Sequence, residues 1–204
     1  MNLILIKKGD LKIMKTVLKN ETKVIIANAR LSYAHIFEPK AFEGQEPKYS
    51  VSLIISKDDK ETIGIIKTAI QNALDIGKEK YWSGKTPKTL KMPLRDGDEE
   101  RDDEAYQNAY FIGANSTTAP QIVGMEKDKA TGKAISLGEE DVYSGCYANV
   151  VVNFYPFNNV SKGIAAGLGN IQKCADGEPL SGAFSKAEDD FDFEEIDSED
   201  DFLL

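Results

Sequence analysis

Residues 142–155 read VYSGCYANVVVNFY and give the strongest strand signal in the chain. The even positions are small or apolar, whereas the odd positions are mainly tyrosine and asparagine. Because successive side chains of a strand point to opposite faces, this alternation predicts one buried face and one polar face. The polar face carries Tyr143, Tyr147 and Tyr155, so it is a candidate binding surface.

Shorter segments on both sides of this strand complete a mainly β pattern. Alternation predicts strands at 23–33, 49–55, 110–114, 121–125 and 163–171. Apolar residues at helical spacing predict one amphipathic helix from Lys57 to Gly77, with Ser56 as its N-cap. Residues 81–109 show neither periodicity and are predicted to be mostly loop. Five to seven strands with one inserted helix are typical of a small, closed or nearly closed β-barrel.

The composition excludes several classes of protein. With 204 residues and 41% hydrophobic content, the chain can bury a core and is not disordered as a whole. No apolar run approaches the ~18 residues that would cross a bilayer. The two cysteines, Cys146 and Cys174, lack the spacing of a zinc site or a disulfide framework. We therefore expect a cytoplasmic protein without membrane contact.

The net charge of −9 is concentrated at one end of the chain. Residues 187–204 read AEDDFDFEEIDSEDDFLL and contain ten of the 34 acidic residues and no basic one. The preceding 186 residues therefore hold 25 basic and 24 acidic residues, which is close to neutrality. An acidic segment of this composition cannot bury enough apolar surface to fold, so we predict a disordered tail.

The sequence divides into three parts. Residues 1–13 differ in character from the rest, and we interpret them as a non-native extension, with translation starting at Met14. Residues 14–186 form the predicted barrel domain, and residues 187–204 form the acidic tail.

An enzyme needs a nucleophile, a base or a metal set, and the sequence offers few of these. His35 is the single histidine, and the motifs of P-loop, serine-hydrolase and zinc-protease sites are absent. The exception is the acidic run from Asp96 to Glu104, whose oxygen ligands could bind a divalent metal as nucleases do. We predict no catalytic residue, metal or cofactor, and keep a metal-dependent nuclease as an alternative.

Basic residues that neutralise phosphates and aromatic residues that stack on bases together bind single-stranded nucleic acid. The predicted stacking residues are Tyr33, Trp82, Tyr143, Tyr147 and Tyr155, and the predicted phosphate ligands are Arg30, Lys78, Lys80, Lys85, Lys88 and Arg95. Only three of the 25 basic residues are arginine, which favours point-charge contacts and binding without sequence specificity. The alternative is that the tyrosines only fill half-buried sheet surface.

The acidic tail has aromatic residues at intervals, and its candidate contact residues are Phe191, Phe193, Asp200, Asp201 and Phe202. Carboxylates can stand in for phosphates and phenyl rings for bases, so the tail could occupy the groove of its own protein until DNA displaces it. It could equally contact basic, apolar surfaces of partner proteins, and a purely solubilising role is the simplest alternative.

Six segments together resemble a known family. They are RLSYAHIFEP at 30–39, KYSVSLII at 48–55, PLRDGD at 93–98, YSGCY at 143–147, NFYPF at 153–157 and DGEPL at 176–180. They resemble a group of phage and prophage single-stranded DNA-binding proteins, similar in fold to those of short-tailed phages. The resemblance implies an OB-fold-like barrel, a groove for single-stranded DNA, a homodimer, and an acidic tail whose aromatic end contacts replication enzymes.

The combined prediction is a non-enzymatic protein that binds single-stranded DNA without sequence specificity during phage replication, recombination or repair. Its partners would be single-stranded DNA and, through the tail, phage replication or recombination proteins in the cytoplasm of the bacterial host. Besides the nuclease, a second alternative stays open, which is an acidic adaptor that binds basic proteins and never contacts DNA.

Overall fold

The computed structural model describes residues 14–41, 44 and 46–180. The predicted extension at residues 1–13 and the acidic tail at 187–204 therefore lie outside the described residues.

The described chain is mostly β-structure. Its strands are β1 (Val17–Leu18), β2 (Lys23–Lys40), β3 (Lys48–Ser56), β4 (Leu94–Asp96), β5 (Ala109–Ser116), β6 (Ile122–Lys127), β7 (Ala134–Ser136), β8 (Tyr147–Asn158) and β9 (Lys162–Ala175). Its helices are α1 (Lys60–Lys80), the single turn α2 (Gly97–Glu100) and a 3-10 turn (Glu104–Tyr106). Within these residues, no helix is both long enough and apolar enough to span a bilayer.

Five of the strands close into a barrel in the order β2, β3, β5, β9, β8 and back to β2. Four of these pairings are antiparallel, and the β5–β9 pairing that closes the ring is parallel. The predicted barrel with one inserted helix is confirmed. The predicted strand at 121–125 is β6, which pairs with β9. The strands not expected from the sequence are short additions: β1 pairs with β2, β4 pairs with β5, and β7 pairs with β6.

The inner face of β8 follows the predicted alternation. Ala148, Val150, Val152 and Phe154 are at most 1% exposed and form part of the main core. The predicted strand start was wrong, because β8 begins at Tyr147. Residues 143–146 instead form a turn in which Gly145 has a φ of +121°, a conformation that favours glycine.

Helix α1 covers one side of the barrel with its apolar face, which includes Ile63, Ile66 and Ile70. Its N-cap is Asp59, whose side chain accepts a hydrogen bond from the backbone N–H of Thr62 at 3.0 Å. The predicted cap, Ser56, ends β3 instead, and its hydroxyl accepts from the backbone N–H of Asp58. The helix therefore starts one turn later than predicted.

A second, smaller core lies on the outer face of the barrel. Ile54 breaks the alternation of β3 because its side chain packs outside with Tyr106, Ala109 and Phe111. The covering loop, residues 97–108, approaches so closely that a Cβ at Gly97 would meet the backbone carbonyl oxygens of Tyr106 and Ala109. This loop therefore depends on a glycine at position 97.

We predict that Gly97→Ala lowers the free energy of unfolding by about 1–3 kcal/mol, since the added methyl group must displace backbone atoms. The matched control is Gly64→Ala, because a Cβ at Gly64 in α1 meets nothing within 4 Å. That control should be neutral or stabilising by up to about 1 kcal/mol, because alanine favours the helix. Urea unfolding of both variants measures the difference, and equal stabilities would contradict the close packing.

Candidate nucleic-acid interface

A groove with a volume of about 490 Å³ crosses the outer face of β2, β3 and β5 and ends at β4. None of the residues that line it is acidic. They are Tyr33, His35, Lys40, Ser50, Val51, Ser52, Arg95, Arg101, Phe111, Gly113, Ala114 and Asn115. The groove thus combines positive charge, aromatic rings and small polar side chains, which suits a polyanion with planar bases.

Tyr33 reaches the groove because of a bulge in β2. The pairing with β3 shifts between Ser32 and His35, and Tyr33 adopts a φ of +47°, which is unusual for a residue other than glycine. The backbone N–H of Ala34 donates to the hydroxyl of Ser144 at 3.1 Å, which helps to hold the bulge. As a result, the Tyr33 side chain is turned outward and the residue is 54% exposed.

Arg101 lies among three aromatic rings on one wall of the groove. Its guanidinium carbon is 5.6 Å from the ring centre of Tyr33, 5.4 Å from that of Tyr106 and 5.0 Å from that of Phe111. Its Nε is buried without a hydrogen-bond partner among the described residues. Since a buried charged donor is stable only when its charge is compensated, the rings hold the cation and an anionic ligand would complete its environment.

Arg95 lies on the same wall and stacks over Phe111, with 4.7 Å between its guanidinium carbon and the ring centre. Its Nε donates to Glu100 Oε2 at 2.8 Å, and its Nη2 donates to the same oxygen. The neighbouring cation lowers the pKa of the Glu100 carboxyl. Arg95 therefore has an internal anionic partner, whereas no ion pair joins Arg101 to another described residue.

The floor of the groove is formed by small side chains of β3 and β5. Ser52 lies opposite Gly113, and Ser50 lies opposite Asn115. A Cβ at Gly113 would meet nothing within 4 Å, so the floor is open at this point. A planar ligand can therefore approach the backbone of the sheet closely.

His35 lies at the end of the groove near Lys40. Burial lowers the pKa of the His35 imidazole, and the positive charge of Lys40 lowers it further. The imidazole is therefore mostly neutral near pH 7, where it can donate and accept hydrogen bonds.

Of the eleven predicted binding residues, the structure places Tyr33 and Arg95 in the groove. Sequence reasoning missed Arg101, because it lies in a stretch dominated by acidic residues. It also omitted His35 and Lys40 from the binding set, although both follow Tyr33 along β2. Only the register of the barrel strands shows that these residues line one groove with Gly113 and Asn115.

Trp82 was predicted to stack on bases, and this prediction was wrong. The residue is 5% exposed and belongs to the main core. Its ring lies over Gly77 in the last turn of α1, where an added Cβ would come within 2.6 Å of ring carbons. Trp82 is therefore a core residue whose ring packs against the last turn of α1.

Arg30 and Tyr143, which were also predicted to contact DNA, lie outside the lining of this groove and hold a segment of the chain. Arg30 donates to the carbonyl oxygens of Gly145 at 3.3 Å and Glu178 at 2.9 Å. The Tyr143 hydroxyl donates to the Gly177 carbonyl oxygen at 3.0 Å, and burial raises its pKa. These contacts fix residues 176–180, which we call the strap, against the barrel.

The remaining predicted residues lie outside the groove. Tyr147 lines a separate polar depression beside Arg30, and Tyr155 is exposed on the outer face of β8.

The predicted lysines lie in and after α1. Lys78 and Lys80 are in its last turn, where Lys78 pairs with Asp75. Lys85 and Lys88 lie in the following loop. The structure does not bring these lysines to the groove lining.

The acidic run from Asp96 to Glu104 has a structural role. Lys57 Nζ lies 2.5 Å from Asp96 Oδ1 and 2.7 Å from Asp98 Oδ2. These hydrogen bonds raise the pKa of Lys57 and lower that of Asp98. Across the described part of the chain, no three side chains of metal-ligand type converge. Asp96 and Asp98 thus fasten the loop to Lys57, the residue that directly follows β3.

The chain is also similar to known proteins in sequence and in fold. Residues 22–203 match the profile of a family described as the ssDNA-binding protein of Enterobacter phage Enc34. A curated relative, putative protein p50 of Acyrthosiphon pisum secondary endosymbiont phage 1, is 28% identical over 189 residues, which is 89% of this chain and 98% of that protein.

Two solved structures are also similar. The single-stranded DNA-binding protein of bacteriophage Enc34, solved in complex with ssDNA, is 28% identical and superimposes with a TM-score of 0.67. The match covers 85% of this chain and 96% of that chain. The single-stranded DNA-binding protein gp2.5 of bacteriophage T7 shares the fold at 14% identity, with a TM-score of 0.50 over 87% of this chain and 94% of that one.

Proposed function

Because the chain belongs to the Enterobacter phage Enc34 ssDNA-binding protein family, we propose that it binds single-stranded DNA in the groove without sequence specificity. The observation that carries the proposal is Arg101, held among three rings in a groove lined by no acidic residue. The family consists of non-enzymatic DNA-binding proteins, so the nuclease alternative is not retained.

Different groove residues would contact different parts of the DNA. Arg101, Arg95 and Lys40 would neutralise phosphates, and the exposed ring of Tyr33 would stack on a base. The serine, glycine and asparagine floor would admit any base, because it offers no fixed bidentate pattern that selects one. This division would allow binding without sequence preference.

The first prediction about binding tests whether the groove is the binding site. Gly113→Leu should fill the open floor and weaken oligo-dT binding at least about tenfold, because the ligand can no longer reach the sheet. The fold should be preserved, since Gly113 lies in open space. Gly64→Leu on α1 is the matched control, because it adds the same side chain at another open glycine.

Fluorescence anisotropy of labelled oligo-dT across a salt series measures both variants. Arg101→Gln provides a second arm, and its slope of log K against log salt should be shallower by about 0.7, the loss of one phosphate contact. Wild-type affinity in Gly113→Leu would place the DNA elsewhere and contradict the proposal.

The second prediction concerns Glu100, which holds Arg95 in the unbound protein. Glu100→Gln should free the guanidinium for a phosphate while Phe111 keeps it in place. We expect tighter DNA binding and a salt slope steeper by about 0.7. Glu99→Gln removes the same charge from the same turn and is the control for general electrostatics. Identical salt slopes in the two variants would show that Glu100 does not compete with DNA.

We further propose that the acidic tail competes with DNA for the groove. The strap ends at Leu180, which lines a small depression together with Tyr33 and His35, so the last described residue lies beside the groove. The tail would be attracted to the groove by its charge, and the attraction would weaken as salt screens it.

The third prediction tests the tail. A protein ending at Lys186 should bind oligo-dT more tightly than the full chain, with the largest difference at low salt. A full-length variant with the acidic residues of 188–201 changed to their amides keeps the length and removes the charge. It should match the shortened protein in anisotropy titrations. Equal affinities of all three proteins at low salt would refute competition.

We also propose that the tail recruits phage replication or recombination proteins in the host cytoplasm and that the protein acts as a homodimer. The full-length and shortened proteins test both points. After nuclease treatment, pull-downs should retain such partners with the full-length protein and not with the shortened one. Sedimentation of the full chain should give twice its 22.5 kDa mass. A monomer mass would reject the dimer, and partners retained without the tail would reject tail recruitment.

A further inference from the structure

The outer face of the groove continues onto β9 and β8. The strand register places Ser50 opposite Asn115, Asn115 opposite Gly167 and Gly167 opposite Asn153. Residues directly opposite one another on paired strands share a face of the sheet. We call these four residues the outer row. Because Ser50 and Asn115 line the groove, the outer row carries that surface across the closing β5–β9 pair.

Tyr155 lies over the outer row just beyond the groove. A Cβ at Gly167 would be 3.4 Å from Cε1 and 3.8 Å from Cδ1 of the Tyr155 ring. These are ordinary van der Waals distances, so the Tyr155 ring lies directly over Gly167, and only a side chain larger than a methyl group would displace it. The residue is nevertheless 40% exposed. It is thus an aromatic ring placed against the backbone and still open to a ligand.

The charge along this path suits a polyanion. None of the four residues of the outer row is charged, and the row ends at Asn153, which lies opposite the exposed Lys23 of β2. At its other end is the groove with Arg95 and Arg101. A phosphate backbone that follows the row would therefore meet cations at both ends and no carboxylate within it.

The spacing leaves room for more than one base between the two rings. Tyr33 is on β2, and the route to Gly167 on β9 crosses three inter-strand gaps, which corresponds to about 14 Å. A very short oligonucleotide can reach one ring, and a longer one can reach both.

We propose that the DNA path continues from the groove across the β5–β9 pair and that Tyr155 is its second stacking platform. The inference rests on the proposed binding of single-stranded DNA in the groove and adds a second subsite to it. It makes the contribution of Tyr155 dependent on the length of the ligand.

The test measures affinity for oligo-dT of about 3 to about 15 nucleotides, which spans the site sizes of OB folds. Tyr155→Ala should match the wild type for the shortest oligonucleotides that bind. For longer ones it should bind roughly 5- to 150-fold more weakly, the loss that one stacked base produces. Tyr33→Ala should weaken binding at every length.

Two further variants make the result specific. Gly167→Val should push the Tyr155 ring away from the sheet and reproduce the length-dependent loss. Tyr81→Ala is the control, because Tyr81 is 51% exposed but follows α1, away from the outer row. It should bind like the wild type at every length.

The outcomes separate this inference from the proposed function. Failure of Gly113→Leu to weaken binding would reject the groove itself. Loss of binding in Gly113→Leu with wild-type affinity of Tyr155→Ala at every length would reject only the second subsite. An equal loss in Tyr81→Ala and Tyr155→Ala would likewise reject a specific role for Tyr155.

Discussion

The parallel pairing of β5 with β9 is the contact on which the remaining architecture depends. It joins Ala114 to Ala166 and Asn115 to Gly167, and it turns a curved sheet into a closed barrel. Closure commits one face of every barrel strand to the core and leaves the other face for solvent or ligand. The pairing is short, and Lys91 extends it through backbone hydrogen bonds to Lys162 and Ile164 of β9. The loop after α1 thus helps to close the barrel.

A second constraint explains why a protein proposed to bind DNA carries acidic residues beside its groove. The loop 97–108 must cover Ile54 and Phe111, and it is fastened by Lys57 through Asp96 and Asp98. These carboxylates are neutralised by the ion pairs that hold the loop. The same loop carries Arg101, which lines the groove. The ion pairs that anchor the loop therefore also hold one wall of the groove in place.

The sequence predicted the fold better than the site, for physical reasons. Alternation along β8 identified its buried face, because a strand that is buried on one side has an apolar residue at every second position. The groove is lined by residues from four strands and a loop. No local sequence pattern indicates how these strands pair, and so which residues become neighbours. Tyr33 and Arg95, the two predicted residues that line the groove, are an aromatic residue and a cation near strand segments. Trp82 shared those properties but lies in the core, since ring size alone does not separate stacking from packing.

The buried position of Trp82 also determines which structural change the intrinsic fluorescence of the protein measures. It is the single tryptophan in the chain, and its ring is enclosed at the end of α1 rather than in the groove. Its emission should therefore follow the integrity of the helix–barrel contact and be nearly indifferent to a bound strand. Intrinsic fluorescence can consequently monitor melting of this protein in the presence of DNA, with little interference from ligand quenching.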